Sequence, residues 1–275
     1  MFLEKPALGS HIISTLDGLK QNQYRIVPET TARLWVPADA VAAVLDLGLN
    51  LEVSEFECSS SISLLRACCA VVVDFAHFSR GDTGSTVQPG ELIADGGGLF
   101  LKQFKLKGAK NRAARARRDN TKVKVLSLPK DAAPDVVRLV EKFLAVRSKI
   151  AEEHPELAAA DSIYRLPWDA KKKFGTATMN SFMEASFRSA GVQAPAGFKY
   201  TWHMLRHGSA SAAAALGVPE RRIKDFGNWA RKSDAYERYI HTVPTTTSGQ
   251  RFFGWMLPVW ALEHPSGAVP VPELL

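Results

Sequence analysis

Residues 201–240 read TWHMLRHGSASAAAALGVPERRIKDFGNWARKSDAYERYI. His203 and Arg206 stand one helical turn apart and therefore share a helix face. The stretch Trp202 to Leu216 is rich in alanine and is closed by Gly217, which predicts a helix with a glycine stop. Pro219 to Phe226 predicts a short helix ended by Gly227, with the proline at its start. Ser233 is placed to cap a last helix through Ile240. An imidazole, a guanidinium, the Trp229 indole and a phenol from Tyr236 or Tyr239 thus arrive from three consecutive short elements. Those groups suit a pocket that handles a phosphate and attacks it with a nucleophile.

Upstream, the pattern remains mainly helical. Val36-Pro37-Ala38-Asp39 opens a helix through Val41, Val44, Leu45 and Leu47, with Gly48 as its expected stop. Ser59 to Phe78 is apolar around nearly its whole circumference and reads as a long buried helix. Gly96-Gly97-Gly98 marks a turn, after which Leu99 to Lys107 and Thr121 to Leu128 predict two strands of a hairpin. Asp135 to Ile150 and Thr178 to Ala190 predict two more helices, and residues 151–175 a connecting loop. The fold class is α+β, mostly helical, with a small antiparallel β-sheet or hairpin. Residues 1–32 show no period and read as an N-terminal tail or linker remnant, leaving 33–275 as the main domain.

The net charge of +7 is concentrated. Lys102 to Lys124 holds ten Lys or Arg against Asp119 alone, so the rest of the chain is slightly acidic. Concentrated cations on a near-neutral protein fit a polyphosphate partner, whose condensed counterions are released on binding. Phe104 is the one aromatic within that stretch, which disfavours a surface that stacks single-stranded RNA bases. No apolar run reads as the roughly 18 residues of a membrane span, and the N-terminus lacks the build of a signal peptide. These features predict an intracellular protein (cytoplasm of a prokaryote or nucleus of a eukaryote) with no membrane association. Cys58, Cys68 and Cys69 are odd in number and set partly in an apolar run, which argues against a disulfide framework or a zinc site. His203 and His207 have the i, i+4 spacing of a zinc helix, but Met204 stands where the metalloprotease pattern has Glu.

From about Trp35 to Ile240 the order of features resembles the catalytic domain of the tyrosine recombinase (phage integrase) family. The similarity is most specific in residues 201–240, with their His-x-x-Arg, alanine-rich helix, Gly-Val-Pro turn, Gly-x-Trp and final Tyr. By that resemblance His203 and Arg206 are the His-x-x-Arg pair, Trp229 fills the His/Trp position and Tyr239 is the nucleophile, with Tyr236 as its competitor. The family's first catalytic Arg corresponds to Arg80 or, alternatively, Arg66. Arg80 has the family's distance to the hairpin, although Thr83, Gly84 and Ser85 replace the usual Glu and Leu-rich helix. The family's hairpin Lys corresponds to Lys107, with Lys105 and Lys110 as alternatives. DNA contacts are expected from Lys102, Lys105, Lys110, Arg112, Arg115, Arg117 and Arg118.

The resemblance implies a site-specific DNA recombinase or integrase of a mobile element that cuts and rejoins double-stranded DNA through a 3′-phosphotyrosine, without metal, ATP or other cofactor, as a homotetramer on DNA. A type IB topoisomerase-like activity and a catalytically inactive duplex-binding protein would use the same fold. The residue types fit the chemistry. Guanidiniums stay ionised and bond two phosphate oxygens at once. A phenol with a pKa near 10 needs a base or neighbouring cations to attack. A lysine can protonate the leaving 5′ oxygen.

Overall fold

The computed structural model describes residues 35–53, 59–95, 98–104, 123–130, 133–169, 173–227, 229–230, 232 and 234–240, with side chains for all of these except 95, 102–104 and 123–129. They belong to a unit that begins at Trp35. In order they form α1 (Ala38–Asn50), α2 (Ser59–Ala76), α3 (Gly81–Gly84), β1 (Leu92–Asp95), β2 (Gly98–Phe104), β3 (Val123–Pro129), α4 (Pro134–Glu153), α5 (Thr176–Ser189), α6 (Trp202–Ala215) and α7 (Glu220–Phe226). Short 3-10 turns lie at Pro155–Ala159, Pro167–Asp169 and Asp234–Tyr239.

Helix α2 is the centre, packed against α1, α4, α5 and α6. Every residue from Leu65 to Ala76 is buried, and each fully buried Val, Leu or Phe there stabilises the fold by roughly 1.5–3 kcal/mol. Contrary to the sequence expectation, Ser59–His77 has the length and composition of a membrane span. Two features place it in a protein core. It is 67% buried within the fold, and its two charged side chains have core partners. Arg66 pairs with Asp169, donates to the Tyr164 carbonyl at 3.1 Å and lies 4.4 Å from the Phe182 ring centroid. Asp74 accepts from the Trp202 indole at 2.8 Å. Cys68 and Cys69 are free and buried beside them, and burial pushes both thiols up, Cys68 to about 12.

The small sheet has three antiparallel strands in the order β1-β2-β3, with Leu92 opposite Leu101 and Leu99 opposite Leu128. The sequence reading predicts only β2 and β3. Four residues are too few for β1 to show an alternation, and the following glycines read simply as a turn. Helix α4 covers β1 and β2, burying Leu92, Leu99 and Leu101.

Three further departures have a packing cause. Gly48 does not stop α1, which continues to Asn50. A Cβ there would lie 2.6 Å from the Leu139 side chain, so the glycine lets α4 approach. Residues 154–169 are not a solvated loop. Leu157, Ile163, Tyr164 and Leu166 are buried, and Arg147 holds the Leu157 carbonyl at 2.7 Å. The prolines and acidic residues around them hide that apolar set. The expected last helix is instead the 3-10 turn Asp234–Tyr239, and Ser233 lies outside the described residues. So do residues 1–34, the tip residues Lys105, Lys107, Lys110, Arg112, Arg115, Arg117 and Arg118, and the aromatic stretch 251–257.

Candidate active site

Helix α6 presents the first two groups. Thr201 takes extended dihedrals as its N-cap, and Asn180 of α5 accepts the Trp202 N–H at 2.6 Å, satisfying one of the open donors of the first turn. One face of α6 then carries His203 and His207, whose ring centroids are 5.1 Å apart, with Arg206 between them in sequence. The opposite, alanine-rich side is buried. A Cβ on Gly208 would fall 2.0 Å from the Val36 carbonyl oxygen, so the helix needs small residues to seat there.

Arg206 is 3% exposed and is held at both ends of its fork. Nη1 donates to the Phe78 carbonyl at 2.8 Å, and Nη2 donates to the Gly227 carbonyl. Its guanidinium lies 4.0 Å from the Trp229 ring centroid and 5.3 Å from that of Tyr239, and it donates to the Tyr239 hydroxyl. Burial, then the charge of Arg80, pulls Arg206 down to about 10, opposed by Tyr239 and Asp82. The Gly227-x-Trp229 spacing has a steric basis. A Cβ at 227 would sit 1.6 Å from the Trp229 ring, so the indole folds back over a bare backbone and lies under Arg206.

Tyr239 is half-buried inside an aromatic box. Its ring centroid is 4.3 Å from His207, 4.9 Å from Trp229 and 5.4 Å from His203. Ser211 of α6 donates to its backbone carbonyl at 2.9 Å, which pins the 3-10 turn to the helix. Tyr236, three residues earlier, faces elsewhere. Burial, then its bond to the Glu220 carboxylate, pushes its phenol up to about 12, and the Lys224 ammonium sits 4.4 Å from its ring centroid. The Tyr239 hydroxyl meets a guanidinium, whereas the Tyr236 hydroxyl meets a carboxylate.

Arg80 follows the end of α2 and occupies the N-cap position of α3. The chain turns there through Phe78, whose φ of 55° is left-handed. That conformation costs a non-glycine residue roughly 1–2 kcal/mol. The buried Phe78 ring, 5.8 Å from Phe226, and the Arg206 bond to its carbonyl hold it. Arg80 is near enough to lower both Arg206 and His203. His203 is depressed below the ordinary histidine range first by burial, then by Arg206 and Arg80, with Asp82 opposing. Arg66, the alternative to Arg80, is instead committed to Asp169 in the core. The structure therefore brings Arg80, His203, Arg206, Trp229 and Tyr239 together. Lys107 lies outside the described residues, and of Lys102 only the backbone is described, paired with Val125.

Three further groups contribute to the site without a role that their sequence context predicts. His207 is legible as the i+4 partner of His203, a spacing that by itself suggests only a zinc ligand. Asp82 is an exposed carboxylate whose charge opposes the two arginines. Asp74 is the third, a lone acid in the run Val71-Val72-Val73-Asp74-Phe75-Ala76. It is fully buried, and burial raises it to about 7 against the donors Trp202 and Ser79. Its carboxylate lies on Gly84, where a Cβ would come within 1.8 Å of Oδ2. Gly84→Ala is accordingly expected to destabilise the protein by about 1–3 kcal/mol through overpacking. Thermal denaturation should show a much smaller loss when the substitution is made in an Asp74→Ala background. Among the described residues no three His, Cys, Asp or Glu side chains converge as a metal site would require.

A helical core carrying a small antiparallel sheet in this order is the fold of a tyrosine recombinase catalytic domain. Among solved structures, the XerH site-specific recombinase bound to a palindromic difH substrate, in a post-cleavage complex, is similar with a TM-score of 0.50 and 13% sequence identity, over 79% of this chain and 51% of that chain. The chain thus spans about half the length of that recombinase. No protein-family model matches the sequence, and no curated protein sequence matches it.

Proposed function

We propose that this chain is the catalytic domain of a site-specific recombinase that cleaves and rejoins duplex DNA through a 3′-phosphotyrosine. The observation that carries this reading is the Tyr239 phenol bonded to Arg206 and boxed by His203, His207 and Trp229, with Arg80 alongside. The XerH complex with its DNA substrate adds support at the level of fold.

In the reaction, the Tyr239 oxygen attacks the phosphorus and its proton passes to His203. The P–O5′ bond breaks as the P–O(Tyr) bond forms, and the departing 5′ oxygen takes a proton from Lys107. Arg80 and Arg206 take the charge that builds on the non-bridging oxygens. Arg206 is already oriented by two carbonyls and the Trp229 face, so little reorganisation is needed when phosphate arrives. The bond energy stays in the phosphotyrosine, and the reverse steps religate. The cationic stretch Lys102 to Lys124 holds the duplex, and four protomers on two DNA sites form the working assembly.

A nicked suicide duplex that traps the covalent adduct on a denaturing gel tests the reading. Adduct formation by the wild-type chain is the expected result, and its complete absence on duplexes of varied sequence, with duplex binding intact, favours the inactive DNA-binding alternative. The same assay has a pH signature. Because His203 is depressed below the ordinary histidine value, it stays neutral and able to accept a proton as pH falls past 6.5. The adduct rate should hold level through that pH and drop only below it. A rate that already halves at pH 7 contradicts His203 as the proton acceptor.

A further inference from the structure

Asp74 joins the two halves of this site without belonging to either. Its Oδ2 accepts from Trp202, the residue before His203 on α6. Its backbone carbonyl accepts the Ser79 N–H at 3.0 Å, immediately before Arg80. Ser79 is in turn 3.1 Å from His77 Nδ1. Gly84, at the end of the turn that Arg80 begins, lies directly on the carboxylate.

A buried carboxylate is a poor way to stabilise a core, since an apolar side chain of similar size avoids the desolvation penalty. Among the described residues no cation offsets that penalty. The titratable groups whose charge it feels in the core are Cys69 and Tyr164, and it faces the Trp202 indole and the Ser79 hydroxyl. What the carboxylate offers, and a leucine would not, is an acceptor for the α6 indole on a flat group that also packs directly on Gly84 of the α3 turn. The two arginines give it something to resist. Arg206 is anchored by the Phe78 and Gly227 carbonyls, while the like charge of Arg80 is repelled from it until a phosphate enters.

We propose that Asp74 is a positioning residue, which by accepting from Trp202 and packing on Gly84 sets the spacing between the Arg80 turn and the His203–Arg206 face of α6. The proposal rests on the reading of that cluster as the active site.

Two readouts on Asp74→Asn test it. The first is the titration of His203 followed by NMR in the DNA-free protein. The groups facing that imidazole are Arg80, Arg206 and Asp82 by charge and His207 and Tyr239 by ring contact. If Arg80 relaxes away, the His203 midpoint should move up toward 6.5. The second is the single-turnover adduct rate against duplex affinity, with a tenfold or greater fall in rate expected while Kd stays within twofold. A folded Asp74→Asn protein with an unmoved His203 midpoint overturns the proposal, even if its adduct rate falls. A shifted midpoint with wild-type rate overturns it as well. Should Asp74→Asn not fold, Trp202→Phe removes the donor to Oδ2 and is judged by the same readouts. Should the wild-type chain form no adduct, the proposed function fails by itself, and the His203 midpoint alone then upholds or overturns the positioning role.

Discussion

Phenylalanine in place of Tyr239 is expected to eliminate the covalent DNA adduct, a loss on the order of a thousandfold or more, because under the proposed function the substitution removes the attacking oxygen. The ring contacts to His203, His207 and Trp229 and the Ser211 bond to the backbone carbonyl all survive it. The melting temperature should therefore change little, and loss of the adduct will reflect loss of the nucleophile. Tyr236→Phe is the matched control. It removes a phenol bonded to Glu220 and raised to about 12, at which a phenolate is harder to form than in an ordinary tyrosine. Adduct formation should persist in that variant. Denaturing gels of the two proteins on one suicide duplex decide the matter, and an adduct in Tyr239→Phe or its disappearance in Tyr236→Phe would reverse the assignment.

Arg206→Ala is expected to lower the adduct rate at least on the order of 100-fold, the usual scale for loss of one fixed donor to a developing oxyanion. It should also weaken the fold, because the same guanidinium closes the Phe78 and Gly227 carbonyls. A buried carbonyl left unpaired costs about 1–3 kcal/mol, and Phe78 in addition holds a left-handed conformation. Arg206→Lys separates the two effects. A single ammonium retains the positive charge but cannot span two carbonyls and a phosphate with a planar fork. Urea unfolding should find the lysine variant between alanine and wild type, while its adduct rate stays near that of alanine. Wild-type rates in a folded Arg206→Ala protein would remove Arg206 from the phosphate clamp.

The legible parts of this protein were those governed by neighbours a few residues away. The helical face joining His203 to Arg206, the Gly217 and Gly227 stops and the α4 and α5 spans all follow from periodicity and caps, within two or three residues of the observed ends. The parts that failed share a different cause. Glycine commonly ends helices, whereas Gly48 instead admits Leu139 from a helix some ninety residues on. The buried residues of 154–169 follow no period, so their sequence predicts only a loop. Asp74 is a single acid in an apolar run, and that mismatch is its one local signal.

Residues 201–240 by themselves determined that an imidazole, a guanidinium, an indole and two phenols are delivered by adjacent short elements, since helical spacing and glycine stops act locally. Only the tertiary structure decided which arginine stands beside Arg206 and which tyrosine meets it. Arg66 finds its carboxylate at Asp169, 103 residues away, and is neutralised in the core. Arg80 instead stands where its charge lowers both His203 and Arg206. Tyr236 and Tyr239 differ in the same way, one turned to Glu220 and the other to Arg206. Charge partners are chosen by proximity in three dimensions, and no spacing along the chain encodes that choice.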